Sequence, residues 1–470
     1  MQKKLAYYCQ LLTVLLLRTA FMLSAPQNRW DVERVIHMFD KVQITLEQCR
    51  GILVELYKEI LPRRIRKKQT ELSERILTEI HERNVTLMPA ESGADNMIAA
   101  LTAAVLAKRG RLCDEQNMAL YPEMPYAAMS EMPIVITVSS IAQQNEVLDC
   151  IPILSQAMLE QEIISTPLIA ALRKGREHYA CMRRLQAHIQ HETDIKIKRN
   201  LTILTKPFAP ADIAEVKTLP AEIKRKICVP ERCDSHCPQH GKCPFHIYYA
   251  RVLLPKTDIQ VCNHNYFLAD TLRRRAGQKP LIPNYQILII DDAHRFLQAA
   301  HCMYGKQLSE KTIPSIKNKL SSLLFRDEKT GASVNQASTA LLGINKRLFE
   351  QLSEHTGNKT HQYAQAILRI TTELLDLLPN APLVGGGVGV REKVIWELTK
   401  LRNCAALLVQ RESITCRLYE CKGERSLKIN PQDLDRRLRE DLWSKGFPVI
   451  ISGSFSSAED FERVKTSLGI

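Results

Sequence analysis

The sequence predicts an α/β fold in which helices cover a parallel sheet. Short apolar runs of strand length begin at Val85, Met132, Ile287 and Phe447. Between these runs, apolar residues recur at three- and four-residue spacing, which indicates amphipathic helices. Strands that alternate with helices favour a parallel sheet. Hydrophobic residues make up 45% of the 470-residue chain and charged residues 25%, so the chain can bury a core.

The predicted elements follow in a regular order. In sequence they are a helical stretch over residues 30–85, a strand at Val85–Met88, a loop at 89–96, an Ala- and Leu-rich helix, a strand from Met132, a helix from Ile141, and strands from Ile287 and Phe447. Two long inserts interrupt this pattern. One runs from about 165 to 280 and contains a group of cysteines, and the other runs from about 300 to 440 and is mostly helical by its period. This length suits two to four domains of roughly 100–200 residues each.

The charge balance indicates a polyanionic partner. Lys and Arg number 65 against 51 Asp and Glu, which gives a net charge of +14. A basic surface of that size suits nucleic acid. The alternative is a generally basic soluble protein.

The first residues resemble a secretory signal only loosely. Lys3 and Lys4 precede an apolar run, but Gln10 and Arg18 interrupt it, and the run is too short to span a membrane. We predict a buried helix here, with a targeting segment as the alternative. No later run is long enough to cross a bilayer, so the sequence predicts a cytoplasmic protein without membrane contact.

Four of the 14 cysteines form a group. Cys228, Cys233, Cys237 and Cys243 lie within sixteen residues in the pattern C-x4-C-x3-C-x5-C. Disulfide frameworks are typical of short secreted chains, so this group indicates a metal site. Thiolates bind either zinc or iron–sulfur clusters, and spacing alone does not separate the two. Cysteines with a purely structural role are the third alternative.

Two acids end the predicted strand ILII. In α/β sheets, ligands bind at the carboxyl ends of the strands, where Asp291 and Asp292 stand. A carboxylate there can hold Mg²⁺ beside nucleotide phosphates. The alternative is a strand that ends in an ordinary polar turn.

The string ILIIDDAH resembles the DEAH box of superfamily 2 helicases, with Asp292 where glutamate is usual. Five further segments resemble, in chain order, segments of the DinG/XPD-like iron–sulfur DNA helicases. They are IRKKQTELS around Gln69, VITVSSIAQQ from Val135, RKGREHYACMRRL from Arg173, the run from Cys243 that contains NHNYFLAD, and VIISGSFSSAEDFERVKTSLGI from Val449. Together they extend over about 400 residues.

The resemblance implies roles for single residues. Asp291 would hold the metal, Asp292 would orient the attacking water, and His294 would couple the site to DNA. Gln69 would read the adenine of ATP. Asp292 is one methylene shorter than the usual glutamate, and a misplacement of about 1 Å can cost roughly a hundredfold in rate.

The resemblance also implies a domain layout around a RecA-like motor domain. The expected segments are 1–60, an N-terminal helical segment; 61–164, the first part of helicase domain 1; 165–280, an iron–sulfur insert; 281–300, the DEAH-box strand; 301–440, a helical arch-like insert; and 441–470, the end of domain 1 with a Ser-Ala-Thr-like motif. No second motor domain follows, so we expect a fragment, a truncated gene product or a partner subunit that supplies it.

By the same resemblance, the cysteines would hold a [4Fe–4S] cluster with a structural role. One upstream ligand, Cys181, would join Cys237 and Cys243. The fourth ligand would be Cys233, with Cys228 as the alternative, because the family spacing falls between them.

The phosphate-binding loop departs from the family pattern. A P-loop needs glycines, a lysine for the β- and γ-phosphates, and Ser or Thr for Mg²⁺. In the aligned segment AESGADNM, Ala90 and Gly93 fit, whereas Asp95 replaces glycine, Asn96 replaces lysine and Met97 replaces the hydroxyl residue. These changes should weaken ATP binding and catalysis. The alternative is that this loop never bound phosphate.

Three functions follow for comparison. The first is an ATP- and Mg²⁺-dependent DNA helicase acting on single-stranded or forked DNA, and the second is a non-catalytic iron–sulfur DNA-binding protein derived from one. The third is a zinc-containing structural or interaction protein. The basic residues expected to face DNA are Arg173, Lys174, Arg176, Arg183 and Arg184, with a solvated basic face as the alternative.

Overall fold

The structure, a computed structural model, describes residues 46–89, 94–109, 132–164, 166–205, 210–353, 360–410 and 414–470, apart from 232, 234–236, 240, 252–256 and 422. The segment at 1–45, which includes the predicted N-terminal helix, lies outside the described residues. The contacts of the chain divide it into two units. The first unit contains residues up to Phe267, Lys279–Ala293 and Gly446–Phe455, and the second contains Leu268–Gln278, His294–Lys445 and Ser456–Ile470.

The first unit is built on a six-stranded sheet in which every paired strand is parallel. The strand order is β1-β9-β5-β2-β4-β3. In chain order the strands are β1 Val85–Pro89, β2 Ile134–Val138, β3 Ala170–Arg173, β4 Ile259–Asn263, β5 Ile287–Ile290 and β9 Val449–Gly453. The central strands β2 and β5 are buried on both faces, which explains their unbroken apolar sequences. All four predicted strands are therefore present.

Helices flank this sheet and share its core. They are α1 Leu46–Ile60, α2 Arg66–His81, α3 Ala94–Arg109 and α4 Ile141–Glu160. Small residues on α3, such as Ala103 and Ala104, are fully buried in the core. Helix α4 begins at a Ser140 N-cap, whose hydroxyl accepts a hydrogen bond from the backbone N–H of Gln143.

Strands β3 and β4 come from the stretch at 165–280 that the sequence predicts to be an insert. Between them the chain forms α5 Met182–His191, α6 Ile195–Ile203, α7 Ala221–Ile227 and α8 Pro244–Arg251. A separate small core of apolar residues, including Leu185, Leu201 and Ile227, holds this cysteine lobe, residues 174–251, together. The chain then returns to the sheet through β4 and continues into α9 His264–Arg275.

The second unit combines a helical bundle with a small antiparallel sheet. Its helices after α9 are α10 Ala293–Tyr304, α11 Thr312–Ser321, α12 Glu328–Ser353, α13 Thr360–Leu377, α14 Val388–Val409, α15 Leu434–Asp441 and α16 Ala458–Leu468. Its strands β6 Lys306–Ser309, β7 Ile414–Cys421 and β8 Glu424–Pro431 pair in the order β6-β8-β7. The helical prediction for this stretch missed these three strands. Leu427 and Ile429 of β8 are fully buried in the same core as the bundle helices.

None of the described helices is both long and apolar enough to traverse a bilayer.

Candidate active site and cysteine lobe

The carboxyl ends of the parallel strands bring polar groups to one edge of the large sheet. Asp291 follows β5, and its backbone N–H donates to the Thr137 carbonyl on β2 at 3.0 Å. On the other side, the Ser452 hydroxyl of β9 donates to Asp291 Oδ1 at 3.0 Å. Since neighbouring parallel strands end together, this edge is where a ligand of the sheet would bind.

Burial raises the pKa of Asp291 above its ordinary value. The hydrogen bond from Ser452 acts in the opposite direction, and the nearby Asp292 raises the pKa further. A bound cation would supply the charge that the protein around Asp291 lacks. The carboxylate is therefore placed and tuned as a metal ligand would be.

Asp292 stands in a left-handed backbone conformation with a φ of 62°. Only a few per cent of non-glycine residues adopt this conformation, and aspartate is among those that tolerate it best. The chain turns here from β5 into α10. His294, on the first turn of α10, is 40% exposed, and its Nε2 lies 3.4 Å from Asp460 Oδ1 of α16.

The start of α3 carries the two residues that depart most from a phosphate loop. Asn96 is half-buried, and its Oδ1 accepts a hydrogen bond of 3.2 Å from Gln69 Nε2. Met97 is 7% exposed and packs into the core. Ala90 and Gly93 lie outside the described residues.

Gln69 is only 2% exposed. Its amide Nε2 on α2 donates to Asn96 Oδ1 on α3. The adenine contact that the resemblance implies for Gln69 stays a prediction. The amides of Gln69 and Asn96 thus link α2 to α3. The resemblance implies an adenine contact at the first position and a lysine at the second.

A cavity of about 20 Å³ lies between this helix start and the sheet edge. Asn96, Met97, Asp291 and Ser452 line it together with apolar residues such as Met88 and Ile450. About one water molecule fits into such a space. The Met97 side chain lies where the P-loop pattern has a hydroxyl for magnesium, and it lines this cavity.

The structure adds a residue that the sequence did not single out. His264 is 2% exposed, and its Nδ1 lies 3.0 Å from Thr137 Oγ1. Burial lowers the pKa of His264 to about 3, against a small rise from a backbone hydrogen bond at Asp291. The ring is therefore neutral at physiological pH. From the start of α9 it contacts Thr137 on β2 and the backbone at Asp291. The run NHNYF stands out in the sequence for its resemblance to the family, but its residue types do not predict that His264 is buried.

Three cysteines of the lobe pack against one small apolar cluster. Cys181, Cys233 and Cys243 pack against Tyr179, Val229 and Phe245. Burial raises the pKa of Cys233, Arg176 lowers it, and the thiols of Cys181, Cys243 and Cys237 raise it. Cys233 therefore lies close enough to the other three thiols to be influenced by each of them.

Two of these thiols stand at helix N-termini. Cys181 is the N-cap residue of α5, and Cys243 immediately precedes α8. Cysteine sulfur is a ligand for zinc and for iron–sulfur clusters. The donor set therefore fits a metal or cluster in its chemistry. Among the residues that the structure describes, no three acidic, His or Cys side chains form a ready-made metal-holding group.

Cys228 has a different environment. Its Sγ donates to the Arg225 carbonyl at 3.3 Å, and its backbone bridges to Ala180. Burial raises the pKa of Cys228, and Arg184 lowers it. Cys228 packs against the core that contains Leu185, Leu201 and Ile227, whereas Cys233 packs against Tyr179, Val229 and Phe245.

The structure corrects the prediction that Arg173 and Lys174 face nucleic acid. Arg173 is 1% exposed, and its guanidinium lies 4.5 Å from the Tyr249 ring centre and donates to the Leu281 carbonyl. Lys174 is buried in an ion pair of 2.6 Å with Asp212. Both side chains connect the cysteine lobe to the rest of the unit instead.

The other three basic residues lie nearer to solvent. Arg183 is exposed, whereas Arg176 and Arg184 are half-buried. Arg176 donates to the Glu231 carbonyl at 2.9 Å and lies over the Phe245 ring. Arg184 donates to the Cys228 carbonyl at 3.3 Å. Their charges therefore surround the cysteines, with Arg183 the most accessible.

Residues 170–313 match the DEAD_2 family. The ATP-dependent DNA helicase YoaA of Escherichia coli (strain K12) is 23% identical over 374 residues, which cover 74% of this chain and 57% of that protein. The 3′-5′ exonuclease DinG of Bacillus subtilis (strain 168) is 26% identical over 197 residues, or 40% of this chain and 20% of that protein.

A solved structure of S. tokodaii Xpd4 aligns with a TM-score of 0.38 and 12% identity, covering 82% of this chain and 57% of that chain. The matched regions thus span 57% or less of the length of each of these relatives.

Proposed function

We propose that this chain is a DinG/XPD-like superfamily 2 helicase that binds single-stranded DNA while hydrolysing ATP slowly or not at all. The match of residues 170–313 to the DEAD_2 family supports this proposal. Two alternatives differ from this proposal in ATP hydrolysis. One is an active ATP-dependent helicase, and the other is a helicase-derived protein that binds DNA without hydrolysing ATP. Zinc in place of an iron–sulfur cluster is the third alternative.

The observation that carries the proposal is the start of α3. Asn96 has no positive charge for the β- and γ-phosphates, and it is bonded to Gln69 at 3.2 Å. Met97 is buried and has no hydroxyl for magnesium. Preorganised charge at the transferring phosphate is the main source of catalysis in this chemistry, so its loss should cost orders of magnitude in rate.

Asp291, across the cavity from the start of α3, supports the proposal that the chain still binds Mg²⁺. Asp291 is half-buried and hydrogen-bonded to Ser452, in the position from which a carboxylate would hold Mg²⁺. Asp292 follows it but is shorter than glutamate, so it is a weaker candidate to orient water. These two acids would supply the metal side of a nucleotide site beside a changed phosphate loop.

The cysteine lobe supports a [4Fe–4S] cluster bound by Cys181, Cys233, Cys237 and Cys243. The cluster would supply a structural link among four segments of the lobe when bound. The protein contributes one thiol at the N-cap of α5, one thiol directly before α8, and the apolar surface of Tyr179, Val229 and Phe245. Cys228, whose thiol donates to a backbone carbonyl, is the less suitable ligand.

The proposal is tested by measuring Mg²⁺-dependent ATP hydrolysis and oligonucleotide binding on the anaerobically purified chain. We expect DNA binding with turnover near background. The triple variant Asp95→Gly, Asn96→Lys, Met97→Thr should raise ATP affinity or turnover by tenfold or more, since it restores about 1.5–3 kcal/mol per charged hydrogen bond. The matched control is Lys67→Thr, an exposed substitution on α2. Robust DNA-stimulated hydrolysis by the unmodified chain would refute the impaired-motor proposal.

A further inference from the structure

A second cavity, of about 230 Å³, lies within the second unit. Its polar lining comes from Arg275 at the end of α9, Lys306 at the start of β6 and Arg437 on α15. Leu272, Met303 and Leu407 supply apolar walls. Three basic side chains from three separate elements therefore line one cavity. Their like charges repel one another, so an anion in the cavity would stabilise this arrangement.

Two of the three cations are already matched by carboxylates. Arg275 Nη1 lies 3.2 Å from Asp441 Oδ2, and that oxygen also accepts a hydrogen bond of 2.7 Å from the Tyr304 hydroxyl. Arg437 Nε lies 2.8 Å from Asp433 Oδ1. These contacts hold both guanidinium groups in place and leave each with further N–H donors.

Lys306 is different. It is half-buried, and in the part of the chain that the structure describes it is paired with no carboxylate. An ammonium at the wall of a cavity without an acidic partner is available to an anion. Three cations and two acids leave an excess of positive charge and of hydrogen-bond donors at this cavity.

We propose that this cavity binds a phosphate or diphosphate group, with Lys306 as the main ligand and Arg275 and Arg437 as preoriented donors. Guanidinium groups match the geometry of phosphate oxygens, and charge-assisted hydrogen bonds to phosphate are strong. At about 30 Å³ per water, the cavity holds roughly eight waters, which suits a small anion better than a whole drug-sized ligand. The phosphate could belong to a free small molecule or to a nucleic-acid backbone.

The inference does not depend on the phosphate loop, because the cavity is formed by other elements. The test measures pyrophosphate binding to the full chain by titration calorimetry. We expect Lys306→Gln to weaken binding by about tenfold, the loss of one charged hydrogen bond, and Lys306→Arg to restore most of it. Lys346→Gln, on the exposed face of α12, should leave it unchanged. Equal melting temperatures would establish that all variants are folded.

Competition identifies the source of the phosphate. If a short oligothymidylate displaces pyrophosphate, and binds Lys306→Gln more weakly, the ligand is backbone phosphate. If it does not compete, the ligand is a free phosphate compound. Absence of saturable pyrophosphate binding, or equal affinities for the wild type and Lys306→Gln, would overturn the proposal in either form.

Discussion

Asp291 is a partly buried carboxylate at the sheet edge, where we propose that it holds a metal. The carboxylate is held between β2 and β9 by backbone and Ser452 hydrogen bonds, and burial raises its pKa. In the absence of a cation, its ionised form destabilises the fold. Sites that bind metal often carry such a penalty, which the metal removes.

Replacing Asp291 by Asn should therefore stabilise the metal-free protein at neutral pH. For an acid whose folded pKa is raised, the stabilising contribution is complete below the unfolded pKa of about 3.9 and is lost as pH rises through the folded pKa. We expect Asp291→Asn to raise the melting temperature at pH 7 and the difference to shrink as pH falls toward 4. Thermal melts at a series of pH values measure this. Asp376→Asn, at an exposed site on α13, is the control, and an equal rise in that variant would contradict the explanation.

At the scale of elements, the cysteine lobe is tied to the sheet at its two ends. Strand β3 leads into it, and Lys174 pairs with Asp212 of the lobe. Helix α8 leads out of it, and the Tyr248 hydroxyl donates to the Leu172 carbonyl of β3 at 2.8 Å. Arg173 lies against Tyr249 of the same helix. The segment that holds Cys243 is thereby fixed to the strand that precedes Cys181.

The two candidate ligands in this lobe predict different outcomes on substitution. Cys233→Ser should lose most of the bound iron, because its thiol lies among those of Cys181, Cys237 and Cys243. Cys228→Ser should retain iron close to the wild-type amount, because that thiol donates to a backbone carbonyl. Iron, sulfide and zinc per chain, measured after anaerobic purification, decide between them.

Cys302→Ser, an exposed cysteine outside the lobe, serves as the control. Loss of iron in Cys228→Ser alone would reverse the assignment of the fourth ligand. Stoichiometric zinc without iron would favour the zinc-containing alternative.

At the scale of the whole molecule, the net charge of +14 is the feature most directly connected with nucleic acid. Binding that releases counterions weakens as salt rises, with a slope of about 0.7 per phosphate contact on single strands. Burial decides which of the basic residues can contribute. Arg183 is exposed, whereas Arg173 and Lys174 are enclosed by their own partners.

Reversing the charge at Arg183 should therefore weaken oligothymidylate binding and reduce the salt slope by about 0.7–1. Fluorescence anisotropy at several salt concentrations measures both quantities. Lys67→Glu, a 91% exposed residue on α2, provides a matched reversal of charge. An equal change in both variants would indicate a general charge effect and remove Arg183 from the interface.

The sequence by itself determined the α/β class and four strands of the large sheet, because each of those strands lies in a mostly apolar run that predicts burial. Strands β3 and β4 were missed because AALR and IQVCN contain polar or charged residues, and their place depends on pairing with β2 and with each other. The antiparallel strands β6 to β8 were missed because a mostly helical period surrounds them.

Some functional candidates were likewise indicated by the sequence, whereas the environment of others became known only from the tertiary structure. Motif order along the chain indicated Asp291, the cysteines and the changed phosphate loop, since these depend on residue type and spacing. Only the tertiary structure decided that Arg173, Lys174 and Gln69 are buried, and that His264 lies beside Thr137. The physical reason is that a charged or amide side chain is buried only where distant segments supply its partners, and those partners are brought together by folding.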